Sequence, residues 1–326
     1  MKELPSVGDQ VGGYTVGELL GQGGCAAVFR ATKGEQQVAL KVVLPSFLVR
    51  QADVGPRFLR EVNVAKRVIH PNVVRCYEHG QTDGFLWMAM ELIEGPELEG
   101  VLRDKGPMTP PRAINLMLQV LDGLNAAHEK LIVHRDLKPA NIMLVDEGTE
   151  DEEAKLVDFG IGKAIGENED MSVQDVTGSF GKALFSPHYT APECLKASAV
   201  GSFTDVYSMG LIFFELLVGE QAVTANTIAE VYARQFYNEP KMPEWLEQSL
   251  AGTVIKNAIK KDPASRYASA REMRDALAEI DPVTIKQPGW DPYAKKKGEP
   301  GPMAANMLLA VALLSVVIGV LVNWVF

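Results

Sequence analysis

Apolar and polar positions change period near residue 92. From Tyr14 to about Leu92, short runs rich in β-branched and aromatic residues, YTVGELL, AVFRAT, QVALKVV and FLWMAMELI, predict strands of a small sheet. One stretch among them, RFLREVNVAKRVI, has apolar residues three to four apart and predicts a helix. Beyond EGPELEG the helical period takes over in PPRAINLMLQVLDGLNAAHEK, TDVYSMGLIFFELLVG, AEVYARQFY and ASAREMRDALAEI. The pattern therefore predicts a sheet lobe over about 14–92 and a helical lobe over about 93–281, preceded by an extension at 1–13. In NIMLVDEGTEDEEAKLVDFG two short apolar runs flank an acidic turn, which predicts a hairpin whose tip, DEGTEDEE, is solvated surface. Residues 282–303 carry several prolines and a KKK run without apolar periodicity and are expected to be a linker. No internal repeat is evident.

The last segment, AANMLLAVALLSVVIGVLVNWVF, changes that picture. Its 23 residues, 304–326, contain no charged residue. As a helix they span roughly 34 Å at about 1.5 Å per residue, enough to cross a bilayer. Lys295, Lys296 and Lys297 lie just before it, which puts the preceding domain on the cytoplasmic side of a single-pass membrane protein. Ser315 and Gly319 have small-xxx-small spacing, which allows a homodimer through the helix. With nothing after Phe326, no extracytoplasmic sensor domain is expected.

The 326 residues suffice for a two-lobed domain with appendages, and 47% hydrophobic against 23% charged residues is a globular balance. The net charge of −10 speaks against a nucleic-acid surface. Cys25, Cys76 and Cys194 have no metal-ligand or CxxC spacing, which implies a reducing compartment and no zinc site. The N-terminus lacks the apolar region of a secretory signal.

Candidate chemistry begins at GQGGCAAVFRAT, Gly21 to Thr32. Glycines let backbone N–H groups approach a polyphosphate, although an ordinary glycine-rich hairpin has the same composition. Lys41, in VALKVV, is expected on the next strand but one after Val28; its bland reading is a side chain snorkelling from a strand edge. Glu61, in the predicted helix, would meet Lys41 across the lobe. Farther on stand HRDLKPAN, His134 to Asn141, then DFG, Asp158 to Gly160, then APE, Ala191 to Glu193, and DVYSMG, Asp205 to Gly210.

With these motifs in this order, the chain from about Tyr14 to Ile280 resembles the eukaryotic-type (Hanks-type) serine/threonine protein kinases, of the bacterial kind. The resemblance implies an α+β, two-lobed protein kinase fold. It implies ATP and Mg²⁺ as cofactors, with Mn²⁺ as the other divalent candidate, and transfer of the γ-phosphate to Ser or Thr hydroxyls of proteins. Asp136 would accept the hydroxyl's proton, Lys138 would steady the phosphate in flight, and Lys41, held by Glu61, would bind the α- and β-phosphates. Asn141 and Asp158 would be the metal ligands. Gly21, Gly23, Gly24 and Ala26 would line the phosphate loop, Ala26 standing where the family often has a third glycine. Met90 would be the gatekeeper, Glu91 and Ile93 the backbone partners of adenine, Glu97 the ribose contact, and Val28, Ala39 and Met143 the walls around the base. The last three are apolar, so core packing alone also accounts for them. His134 and Phe159 are expected to pack beneath these loops, Glu193 to pair with Arg266, and Asp205 to brace the catalytic-loop backbone.

Between Asp158 and Glu193 lie 34 residues, long for the family and rich in Gly, Ser and acidic groups. Arg135 before Asp136 implies an activating phosphate, for which Ser172, Thr177 and Ser179 are candidates. Ser186 stands where the family usually has Thr, and its hydroxyl would bridge Asp136 and Lys138. Two other readings stay open: a pseudokinase-type membrane signalling scaffold, and a small-molecule kinase of related fold.

Overall fold

Alternation of apolar side chains builds the smaller lobe. The computed structural model describes residues 4–23, 26–44, 58–59, 62–63, 65–159, 186–195 and 200–292. Its six-stranded sheet is antiparallel throughout: β1 (Gln10–Val11), β2 (Tyr14–Gln22), β3 (Ala26–Lys33), β4 (Gln36–Val43), β5 (Cys76–Thr82) and β6 (Phe85–Met90), in the order β1-β2-β3-β4-β6-β5. Successive side chains on a strand point to opposite faces. In β4, Val38, Leu40 and Val42 join Phe29, Ala31 and Trp87 on one face. Ala39 and Val43 join Met88, Met90, Phe58 and Val62 on the other, the face Lys41 shares by period. Residues 58, 59, 62, 63 and 65 are helical, as the periodicity predicts.

The structure extends this lobe beyond the sequence reading in two places. The extension at 1–13 is not wholly outside the domain, because Val11 is buried and pairs with Tyr14. β5 reads CYEHGQT, too polar to look like a strand. It lies at the sheet edge with only Cys76 fully buried, so little of it needs to be apolar.

In the larger lobe, α1 (Leu98–Lys105) is followed by α2 (Pro110–His128), which opens on Pro110 and buries Ala113, Ile114, Met117, Val120, Leu121 and Leu124 along one stripe. After the hairpin β7 (Ile142–Val145) and β8 (Glu153–Leu156) come α3 (Pro192–Leu195), α4 (Ser202–Val218), α5 (Ile228–Tyr237), α6 (Glu244–Glu247), α7 (Leu250–Ala258) and α8 (Ala270–Ala278). Residues 204–217 of α4 are buried without a break, so this helix is the lobe's axis. A helix buried all round must satisfy its polar side chains internally, and α4 does so through Thr204, Asp205, Tyr207, Ser208 and Glu215.

Two expectations are corrected here. The acidic β7–β8 connection is not simply solvated surface. Glu152 is buried and forked to Arg112 at 2.9 and 2.6 Å, and Arg112 also reaches Glu147 at 2.7 Å. Two acids of the run thus tie the hairpin to α2, and burial is tolerable because the guanidinium pairs with them. The linker expected from Pro282 begins later, because Ile285 and Gln287 are buried and Gln287 Nε2 donates to the carbonyls of Met108 and Leu217 at 2.9 and 2.7 Å. The first compact unit accordingly runs Met1–Gln287; the second, Pro288–Phe326, is described only at 288–292. Among the described residues no helix is long and apolar enough to cross a membrane, and the expected span at 304–326 lies outside them.

Candidate functional site

The glycine-rich turn closes between β2 and β3, with Gly23 N–H donating to Ala26 O at 2.9 Å. Gly21 pairs with Val28 across the hairpin. A methyl group on Gly21 would meet nothing within 4 Å, and one on Gly23 only Ala26 O at 3.9 Å. Neither residue has a positive φ, so among the described residues neither packing nor backbone conformation demands glycine there, which leaves the backbone open to close approach. Ala26 begins β3. Gly24 lies outside the described residues.

Lys41 lies on β4, the strand adjacent to Val28 rather than the next but one, and the two residues pair directly across the sheet. Its side chain is only 13% exposed, and its Nζ donates to Asp158 Oδ1 at 2.6 Å. It therefore does not snorkel to solvent. Glu61 falls outside the described residues. Burial works to raise the Asp158 carboxyl, but the charge and hydrogen bond of Lys41 outweigh it and hold Asp158 below the usual carboxylate range. Asp158 has φ 58°, a left-handed backbone that turns the chain sharply after β8.

The loop before β7 gathers the other polar groups. Asn141 Nδ2 donates to Asp136 O at 2.7 Å and lies 3.3 Å from Asp136 Oδ2, which leaves the amide oxygen as the end available to a ligand. Lys138 Nζ is 3.3 Å from Asp136 Oδ2. Beneath them Asp205, at the start of α4, accepts from the N–H groups of His134 and Arg135 at 2.8 and 2.9 Å, bracing the loop as the resemblance implies. Arg135 is left-handed, with φ 64°. His134 is fully buried, tilts against Phe159 at 4.7 Å between ring centroids, and has Nε2 3.0 Å from Val157 O. Burial depresses its pKa, and because a carbonyl oxygen only accepts, Nε2 carries the proton shared with Val157 O.

His128, which sequence reasoning missed, completes the brace. Its Nε2 lies 2.7 Å from Asp205 Oδ2; burial works to raise the Asp205 carboxyl, but the contacts of His128 and His134 together hold it low. Nothing in NAAHEK marks this residue, because its partner is 77 residues away.

The strand-to-helix crossing between the lobes contains Met90, buried, and paired across the sheet with Ala39. Glu91 spends its N–H on Arg75 O at 2.8 Å and its carboxylate on Lys155 at 2.7 Å, leaving its carbonyl outside these bonds. Ile93 follows at intermediate exposure. Pro96 O accepts from Leu144 N–H, and Glu97 bridges Met143, so the crossing is sewn to β7. Gly95 is obligatory at this seam, since a methyl there would lie 1.9 Å from Leu144 O. Partial burial and the neighbouring Glu99 push the Glu97 carboxyl up. Val28, Ala39 and Met90 thus lie on the sheet side and Met143 on the helical side.

Glu193 and Arg266 form a buried two-pronged pair at 2.7 and 2.9 Å, with Thr204 Oγ1 donating to Glu193 at 2.9 Å. Before it, residues 186–190 form a turn, in which Tyr189 N–H donates to Ser186 O at 3.0 Å. The candidate phosphosites Ser172, Thr177 and Ser179 lie outside the described residues.

A family model described as a protein kinase domain matches residues 14–277. The serine/threonine-protein kinase PknJ of Mycobacterium tuberculosis is 36% identical over 282 residues, covering 84% of this chain and 46% of that protein. PknB of the same organism, also named a serine/threonine-protein kinase, is 34% identical over 276 residues, covering 82% of this chain and 42% of PknB. The chain therefore matches less than half the length of these curated relatives. The crystal structure of the M. tuberculosis PknI kinase domain superposes with a TM-score of 0.64 at 26% identity, covering 85% of this chain and 99% of that one.

Proposed function

The chain belongs to the protein kinase family, and on that premise we propose that it transfers the γ-phosphoryl group of ATP to Ser and Thr hydroxyls of proteins. The observation that carries this is a pair of contact groups, Lys41 on Asp158 across the lobes at 2.6 Å, and Asn141 and Lys138 on Asp136 at 2.7 to 3.3 Å. Phosphoryl transfer needs positioning and charge neutralisation more than covalent chemistry, and this set supplies both. Asp136 accepts the hydroxyl's proton, Lys138 offsets charge on the phosphate in transit, and Lys41 orients the phosphates held over Gly21 and Gly23. Asn141 Oδ1 and the Asp158 carboxylate, hard oxygen donors, fit Mg²⁺ or Mn²⁺, which would neutralise charge on the phosphate oxygens. Val28 and Ala39 on one side and Met143 on the other would hold the adenine base, with the Glu91 carbonyl and Ile93 N–H as its backbone partners, Met90 behind and Glu97 at the ribose.

In this reading the chain autophosphorylates in the segment Ser172 to Ser186, where the phosphate answers to Arg135, and residues 304–326 anchor the chain in the membrane with the kinase domain in the cytoplasm. Both are supported by the sequence pattern. Incubation with γ-labelled ATP tests the activity. Label should enter a generic basic protein and not sugars or aminoglycosides; label in the small molecules, or in nothing, overturns the reading.

A further inference from the structure

Gln235, on α5, is completely buried and uses every polar atom of its side chain. Its Nε2 lies 3.1 Å from Pro187 O and 2.9 Å from His188 O, and its Oε1 accepts from the Tyr207 hydroxyl at 2.5 Å. Tyr207 Oη in turn accepts from Lys261 Nζ at 2.9 Å. The directions are forced. Carbonyl oxygens only accept, so the amide nitrogen must face Pro187 and His188; Oε1 must then receive the tyrosine proton, and the phenol's lone pair must take the ammonium proton.

The object held by this relay is a turn rather than a regular element. Pro187 and His188 are its two central residues, and proline at the first of them suits such a turn. Both of their carbonyls converge on one amide, so Gln235 fixes the turn's orientation and not merely its presence. Axial helix α4 carries this turn and the catalytic loop side by side. Asp205 holds the backbone of His134 and Arg135, and Ser208, three residues on and about 4.5 Å along the axis, donates to Tyr189 O at 2.8 Å. Any tilt of the turn therefore moves it relative to Asp136.

We propose that Gln235 is a positioning residue for protein-substrate recognition, holding the Ser186–Tyr189 turn in the orientation that seats the acceptor chain beside Asp136, with Tyr207 and Lys261 holding Gln235 in turn. The inference rests on the kinase reading. A role in packing alone predicts that Gln235→Met, which keeps the volume, changes stability but not the handling of substrate.

The test uses the full chain, Gln235→Met and Tyr207→Phe, with synthetic Ser/Thr peptides varied on both sides of the acceptor. Gln235→Met should raise the peptide KM at least fivefold and flatten the preference among these peptides, while the KM for ATP moves less than twofold. Tyr207→Phe, which removes one hydroxyl, should shift the peptide KM in the same direction by a smaller factor. Peptide KM values and preferences matching the unaltered chain in both variants, or an equal rise in the KM for ATP, overturn the inference and leave the kinase reading intact. Failure of the unaltered chain to phosphorylate any peptide overturns both.

Discussion

Lys41 and Glu193 show how burial gives individual charges their meaning. An ammonium held in a sheet interior is costly unless it is paired, and Lys41 is paired with a carboxylate that also fits a metal ion. Lys41→Met keeps much of the apolar stem, so the fold should persist. Phosphoryl transfer should fall by about 10² to 10³, the effect of removing one preorganised electrostatic contact. Turnover within tenfold of the unaltered chain, with circular dichroism unchanged, would contradict the assignment. Glu193 is a structural counterpart, buried against Arg266. Glu193→Gln leaves the guanidinium buried without its countercharge and should cost about 3–5 kcal/mol, read as a lower urea midpoint.

Elements were legible where one residue type dominates a period. The stripe of α2 and the strands β2, β3, β4 and β6 could be read directly, and so could the motifs that place Asp136, Asn141 and Asp158 in one loop system. Edge strand β5 could not, since its outward half is polar. Neither could the fate of the β7–β8 acids, because Arg112, which pairs with two of them, lies on another element. The Gln235 relay is invisible for the same reason, as its hydrogen-bonded partners are 28 to 54 residues apart. The segment after α7 carries a further consequence. Burial first, then Arg266, push the Lys261 ammonium down to about 8, with Glu239 opposing. Unfolded lysine keeps its proton to about pH 10.4. Between those values the unfolded chain binds more protons, so this residue's contribution to stability should rise with pH across that window. Lys261→Met should remove that rise in denaturation midpoints measured from pH 7.5 to 10. An unchanged slope would place the lysine in solvent.

At the scale of the whole molecule, the folded unit ends at Gln287 and not at Asp281. A chain ending at Asp281 loses the buried Ile285 side chain and two Gln287 hydrogen bonds, roughly 3–4 kcal/mol relative to one ending at Asp291. Thermal melting of the two shortened chains should separate them; coincident melting would mean that the tail is only draped on the surface. The chain ending at Asp291 should also stay soluble and transfer phosphate, while the full chain should sediment with membranes and resist carbonate. A full chain released by carbonate would remove the anchor from the account. The central claim, that both lobes together deliver phosphate to a protein hydroxyl, meets its most direct test at Asp136. In the full chain, Asp136→Asn replaces the carboxylate proposed to receive the hydroxyl's proton, so ATP affinity should stay within about twofold while transfer from γ-labelled ATP falls by about 10² to 10⁴. In the unaltered chain, phosphoamino-acid analysis should find the label on Ser and Thr; label on other acceptors, or full transfer by Asp136→Asn, would contradict it.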